Sequence, residues 1–158
     1  MSIRPATPAE APRIAELYRQ LTVEMAALAP TVIQPRRQDN ADDFYDYILD
    51  EQSTVLVATK ASQVLGFALV VAATTGTEPE AVPHRFALCV DLYLLPDYRH
   101  QGHGQALMQG VDAWAAAHEC EFVQLNVLAA DTSARQFYHQ AGFTPQQLTL
   151  TRPLRHQA

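Results

Sequence analysis

The sequence has little cysteine, two residues in 158, and so few exclude a disulfide framework. Cys89 and Cys120 point instead to a reducing cytoplasm as the expected compartment. No apolar run approaches the roughly 20 residues of a membrane span. The opening MSIRPATPAE lacks the apolar core of a secretory signal, so no membrane role is expected. Basic charge is not in surplus. The net charge is -6, which disfavours broad nucleic-acid binding and mildly favours a cationic partner. The six histidines and two cysteines fall at no zinc spacing, so no metal is expected. Two nucleotide signatures are missing as well. There is no Gly-x-Gly-x-x-Gly, because position 107 is leucine, and no Gly-Lys-Ser/Thr.

What is present reads as one folded domain over residues 1–158. The chain is 48% hydrophobic and 18% charged, enough to bury a core. Ile3-Arg4 suits a short first strand. Thr7-Pro8-Ala9-Glu10 has the form of a capping box, and a helix should follow with Ile14, Leu17, Leu21, Met25 and Leu28 on one side. Pro30 and Pro35 mark a loop that carries Arg36 and Arg37, which could reach an acidic acceptor but are read as solvated. Asn40 is placed to cap a second helix with Phe44, Tyr47 and Ile48 inward.

The periodicity then changes. Thr54–Ala58 and Val64–Ala73 read as strands joined by a turn at Lys60-Ala61-Ser62-Gln63, with Gly66 marking a bulge or a close approach. Gly76–Pro83 is a hairpin loop. FALCVDLYLL, residues 86–95, is the most apolar strand. A third helix runs from about Gly102 to His118, with Leu107, Val111, Trp114 and Ala115 buried. Phe122–Leu128 is another strand, and Thr132–Ala141 a helix stopped by Gly142. Phe143 and Gln147–Leu154 supply late strands. The class is α/β, layered on a central apolar sheet.

Between the apolar strand and the third helix lies RHQGHG, residues 99–104. Glycines two apart let backbone approach a ligand, and the first amides of a helix carry the positive end of its dipole. That arrangement binds anions, a pyrophosphate among them.

This hexapeptide resembles the Arg/Gln-x-x-Gly-x-Gly/Ala signature of the GNAT superfamily of acyl-CoA-dependent N-acetyltransferases. DLYLLPDYR, just before it, is similar to the family's fourth strand entering its pyrophosphate loop. NVLAADTSARQFYHQAGF, residues 126–143, is similar to the fifth strand and the helix after it, down to the Phe-Tyr-x-x-x-Gly-Phe ending. IRPATPAEAPRIAELY has the style of the family's opening. The likeness is specific over about residues 86–144.

The resemblance implies a mixed sheet of about six or seven strands, splayed between strands four and five and flanked by about four helices. It implies acetyl-CoA as co-substrate, its pantetheine arm pairing with the backbone of Leu92, Tyr93 and Leu94 like an added strand. The pyrophosphate would rest on amides of His100, Gln101, Gly102, His103, Gly104 and Gln105, with Arg99 adding charge. Tyr138 occupies the family's general-acid position, and Phe137 would pack against CoA or core. Asp131 stands where many relatives have asparagine; it suits a helix cap as well as a pantetheine contact. Homodimers are common in the family.

The expected reaction is acetyl transfer to a primary amine of a small molecule. DLYLLPDYR somewhat resembles the polyamine and diamine branch, though Val90 departs from it; an amino acid or an aminoglycoside-like drug stays open as acceptor, as do a noncatalytic acyl-CoA sensor and an enzyme acting on a protein N-terminus or lysine. The general base has the thinnest pattern. Val90 and Asn126 fall where relatives carry acids. Asp91 is the one ionised side chain in its strand, so it is either functional or paired. It is assigned to amine binding, or to base chemistry through water. Glu24 is a further acid placed toward the acceptor. Cys89 reads as a small buried hydrophobe, not an acyl carrier.

Overall fold

A computed structural model describes residues 1–76 and 78–154. Thr77, in the expected hairpin loop, lies outside the described residues. The chain divides into two compact units, Met1–Asn126 and Val127–Ala158.

The first unit is built on five strands in the order β1 (Ser2–Pro5), β2 (Ser53–Lys60), β3 (Gln63–Thr74), β4 (Arg85–Leu94), β5 (Phe122–Gln124). Neighbours β1 to β4 pair antiparallel, and β4 pairs β5 in parallel. Three helices accompany them, α1 (Ala11–Leu28), α2 (Ala41–Leu49) and α3 (His103–Ala117).

Local chemistry explains the starts. Glu10 accepts the Thr7 N–H at 2.8 Å and grips the Arg4 guanidinium at 2.6 and 3.0 Å, so the capping box also ties β1 to α1. The Arg4 charge and its hydrogen bonds hold the Glu10 carboxyl below its usual range. At α2 the cap differs from expectation. Asn40 occupies the cap position but its side chain makes no capping bond. Asp39 Oδ1 accepts the Ala41 N–H at 2.9 Å instead, reaching two residues along the backbone as short acids do in turns.

Strand alternation sorts the core. Val55, Val57, Phe67, Leu69 and Tyr93 gather with Ile14, Leu17 and Phe44 under α1 and α2. On the opposite face α3 lies close enough that a Cβ at Gly110 would meet the Leu56 side chain at 3.0 Å. Buried Leu107, Met108, Val111 and Ala115 belong to α3. Trp114 is only half-buried; its ring is stacked on His118 with centroids 3.9 Å apart.

The second unit holds α4 (Thr132–Gln140). Asp131 caps it, Oδ1 accepting from the Ala134 N–H at 3.0 Å. Its end is a Schellman motif. The Gly142 N–H bonds the His139 carbonyl, the Phe143 N–H bonds the Tyr138 carbonyl, and the Tyr138 and Phe143 rings meet edge to face at 5.7 Å.

The family resemblance predicts six or seven strands; the sheet has five. Phe122–Leu128 shrinks to Phe122–Gln124, and Phe143 and Gln147–Leu154 form no strand among the described residues. The Leu148/Leu150 alternation is a strand pattern, but a pattern needs a ladder partner and a surface to cover. Leu148 is 75% and Leu150 86% exposed, so these leucines have found neither. Proline at 145 and 153 shortens the run further.

Candidate active site

The site begins with an irregularity in β4. Leu69 pairs with Asp91, but Val70 pairs with Cys89, so Val90 is an extra residue with no partner on β3. Such a bulge re-aims the next residues of its strand. Unbulged alternation would put Asp91 on the α3 face beside Cys89. The bulge turns it toward Leu69, Phe67 and Tyr93, beneath α1 and α2, while Val90 stands 45% exposed. Asp91 is half-buried there, and burial pushes its carboxyl up to about 6. Burial, with Asp91 nearby, pushes the Cys89 thiol up to about 12, so it holds its proton at neutral pH.

The bulge also lies where the sheet opens. The β4–β5 ladder covers Phe86–Leu88 and Phe122–Gln124 and stops. From Cys89 to Leu94 the β5-facing edge of β4 has no strand partner among the described residues. Leu92, Tyr93 and Leu94 lie within that stretch.

A short turn at Pro96–Tyr98 leads into the glycine loop. His100 has φ 60°, and Gly102, the cap of α3, has φ 86° and ψ 0°. Two left-handed residues in three bend the chain so that successive amides point outward. The Arg99 N–H bonds Pro96 O, and the next backbone N–H to find a carbonyl is that of Ala106, on Gly102 O at 3.1 Å. Between them the N–H groups of 100–105 have no acceptor among the described residues. No Cβ of Gly102 would meet anything within 4 Å; the glycine is there for its backbone angle.

Arg99 does not hang free. It donates to Glu24 at 2.9 and 3.1 Å and to Leu94 O at 2.7 Å, and lies 5.3 Å over the Tyr93 ring. The Tyr93 hydroxyl donates to the same Glu24 at 3.1 Å. Glu24 is therefore engaged in this clasp. Gln101 reaches back to Asp97 O at 3.0 Å, and His100 is exposed.

Phe137, Tyr138 and Asp131 belong to the second unit, on α4 and its cap. The Tyr138 ring packs against Phe143 and lies 5.3 Å from Phe137.

Sequence reasoning misses Tyr18 and Thr22 of α1, which share the apolar helix stripe. Tyr18 stacks edge to face on Phe44 at 5.7 Å, and burial followed by the Asp91 charge raises its hydroxyl. Only the fold could reveal that Tyr18 stands near the bulge. Among the described residues no group of acids, histidines and cysteines could hold a metal ion, and no helix is long and apolar enough to cross a membrane.

The family profile described as "Acetyltransferase (GNAT) family" matches residues 15–143. Among solved structures, a mutant BH1408 protein from Bacillus halodurans superposes with a TM-score of 0.89 at 23% identity, over 98% of this chain and 99% of that one. A transcriptional regulator from Bacillus halodurans C-125 gives 0.71 at 20%, over 97% and 99%. An aminoglycoside acetyltransferase from an uncultured soil metagenomic sample gives 0.73 at 15%, over 98% and 96%. At such identities these likenesses concern the fold. No curated protein sequence matches.

Proposed function

The chain belongs to the GNAT acetyltransferase family, and from that membership we propose that it moves an acetyl group from acetyl-CoA directly to a primary amine of a small molecule. The observation that carries the reading is the run of N–H groups at 100–105 with no acceptor among the described residues, just beyond the stretch of β4 that has no β5 partner among them. A diphosphate satisfies such amides, and an extended amide chain such as pantetheine satisfies an open strand edge. In this reading Leu92, Tyr93 and Leu94 supply the edge. Arg99 acts from behind, through its clasp. Asp131 has a second carboxylate oxygen, beyond its cap bond, to accept from a pantetheine amide. Phe137 packs near the same arm.

The chemistry is set by the needs of the reaction. An alkylamine has a pKa near about 10 and arrives protonated. Asp91, ionised above about pH 6, holds that ammonium and takes its proton, directly or through water. The freed nitrogen lone pair attacks the thioester carbonyl carbon, and the C–S bond breaks. Tyr138 donates its hydroxyl proton to the departing sulfur, so the products are the amide and CoA thiol. A phenol and an alkyl thiol differ by only about 1.5 pKa units, so this transfer lies within reach of ordinary general-acid catalysis. The role of Tyr138 rests on its place before Gly142-Phe143.

A noncatalytic acyl-CoA-binding module is the second reading, favoured by the apolar Val90 and neutral Asn126 where relatives carry acids. Calorimetry with acetyl-CoA, followed by free-thiol release with an amine panel, separates them. Binding with turnover supports transfer, and binding without turnover for any amine favours the sensor. Tyr138→Phe should bind acetyl-CoA normally and lose turnover by about 10²-fold or more. Failure of the chain to bind CoA at all removes both readings.

A further inference from the structure

We infer that the acceptor carries a carboxylate close to its amine, as an amino acid does, and that Arg36 recognises that carboxylate. This rests on the transferase reading above and names the class of its second substrate.

The bulge at Val90 aims Asp91 at the space beneath α1 and α2. Phe44 is the hub of that space. It meets Tyr18 at 5.7 Å, Phe67 at 5.6 Å and Tyr47 at 6.5 Å. Phe67 is the register partner of Tyr93, two residues along from the Leu69–Asp91 pair. Tyr18 and Tyr47 thus both flank Phe44, which rests on Phe67 beside the Leu69–Asp91 pair. Among the charges that act on the Tyr18 hydroxyl are Asp91, Arg36 and Asp43, with the Tyr47 hydroxyl also in range. The loop after α1 is tied to α1 one turn beyond Tyr18, through Thr22, and Phe44 of α2 lies between Tyr18 and Phe67.

Arg36 is the cation of that group, and its backbone is fixed. Its N–H donates at 2.8 Å to Thr22 Oγ1, a buried hydroxyl that itself donates to Arg19 O at 2.7 Å. The Arg36 Nε donates to Gln38 O at 3.3 Å. Arg4, Arg13, Arg19 and Arg99 each hold a carboxylate of this chain. Arg36 holds none among the described residues, so the outer fork of its guanidinium is available. An arginine fork matches a carboxylate in shape and charge.

A site with an acid on one side and an arginine on the other suits a dipolar ligand. Asp91 suits the ammonium; Arg36 suits the carboxylate. A polyamine would meet Arg36 as a like charge.

The test measures thiol release from acetyl-CoA with the common amino acids, each beside its α-amide and its decarboxylated amine, with spermidine as a polycation. At least one amino acid should exceed its amide and amine tenfold or more in kcat/KM. Arg36→Gln should collapse that preference about tenfold, and Arg36→Lys should restore part of it. The side chain is exposed, so both variants should melt like the parent. Amides, amines or spermidine equalling or beating every amino acid would overturn the inference and leave the transferase reading intact. So would an Arg36→Gln variant that lowers acid, amide and amine alike. No thiol release with any acceptor, while acetyl-CoA still binds by calorimetry, overturns the transferase reading and this inference with it.

Discussion

The carboxylate of Glu24 accepts two hydrogen bonds from Arg99, at 2.9 and 3.1 Å, and a third from the Tyr93 hydroxyl at 3.1 Å. This clasp joins the last turns of α1 to the end of β4 and the entrance of the glycine loop. The two side chains are each about a third exposed, so the ion pair alone contributes no more than about 1 kcal/mol. The Arg99 bond to Leu94 O and its cover on Tyr93 add to that. Arg99→Gln should lower the melting temperature by a few degrees and weaken acetyl-CoA severalfold. Glu24→Gln discriminates between roles. If Arg99 gripped phosphate itself, releasing it from Glu24 would tighten acetyl-CoA binding. A positioning role predicts weaker binding in both variants, read as calorimetric Kd.

Asp91 gives a signed pH prediction. Its folded pKa is about 6, against about 3.9 in an unfolded chain. Between those values the folded protein keeps a proton that the unfolded chain has lost, so stability falls as pH rises from about 4 to about 6. Asp91→Asn removes that decline and should be the more stable protein at pH 7, by up to about 3 kcal/mol. Activity should move the other way. The parent kcat/KM rises through pH 6 as Asp91 ionises. The variant should lose that limb and about 10²-fold in rate. Urea melts and rate profiles from pH 4 to 8 measure both.

The contrast between Glu10 and Val90 shows what the sequence can carry. Thr7 and Glu10 are three residues apart, so their mutual capping is written in local chemistry, and the helix start is readable. The RHQGHG loop and the Tyr138–Phe143 helix stop are likewise contained in a few consecutive residues. The bulge at Val90 is a property of how β4 pairs with β3, and no residue in FALCVDLYLL announces it. Sequence pattern assigns Arg99 to phosphate because the partner that claims it, Glu24, is distant along the chain. The missing late strands have the same cause in reverse. Leu148 and Leu150 alternate correctly, but alternation names a face and not the neighbour that must cover it.

The β2–β3 turn offers a test free of the site. Ala61 has φ 49° and Ser62 φ 68°, and both lie between the paired residues Lys60 and Gln63. A two-residue turn with both angles positive matches strand twist, but favours Asn-Gly. Alanine has no side-chain bond to offset its left-handed strain. Ala61→Asn and Ser62→Gly should each stabilise by about 1 kcal/mol, raising Tm by roughly 2–4 °C. Scanning calorimetry on the single and double variants checks this. A lower Tm for both would show that the turn prefers its present residues for another reason.

Gly66 should be the least replaceable residue of β3. A Cβ there would stand 2.6 Å from the Tyr93 carbonyl oxygen and 2.8 Å from Leu94 Cδ1. The first contact is backbone, so no side-chain rotation relieves it. Tyr93 and Leu94 would have to shift away from β3, toward the open side of β4. Overpacking of this kind costs about 1–3 kcal/mol, and the displaced atoms are those proposed to pair with pantetheine. Gly66→Ala should therefore lower both the melting temperature and acetyl-CoA affinity, the latter by about tenfold, or about 1.4 kcal/mol. Gly102→Ala is the comparison, because its Cβ would meet nothing and any loss there comes from the backbone angle alone. Should Gly66→Ala melt lower yet bind acetyl-CoA as tightly as the parent, the β4 edge at Tyr93 and Leu94 is not where the cofactor lies.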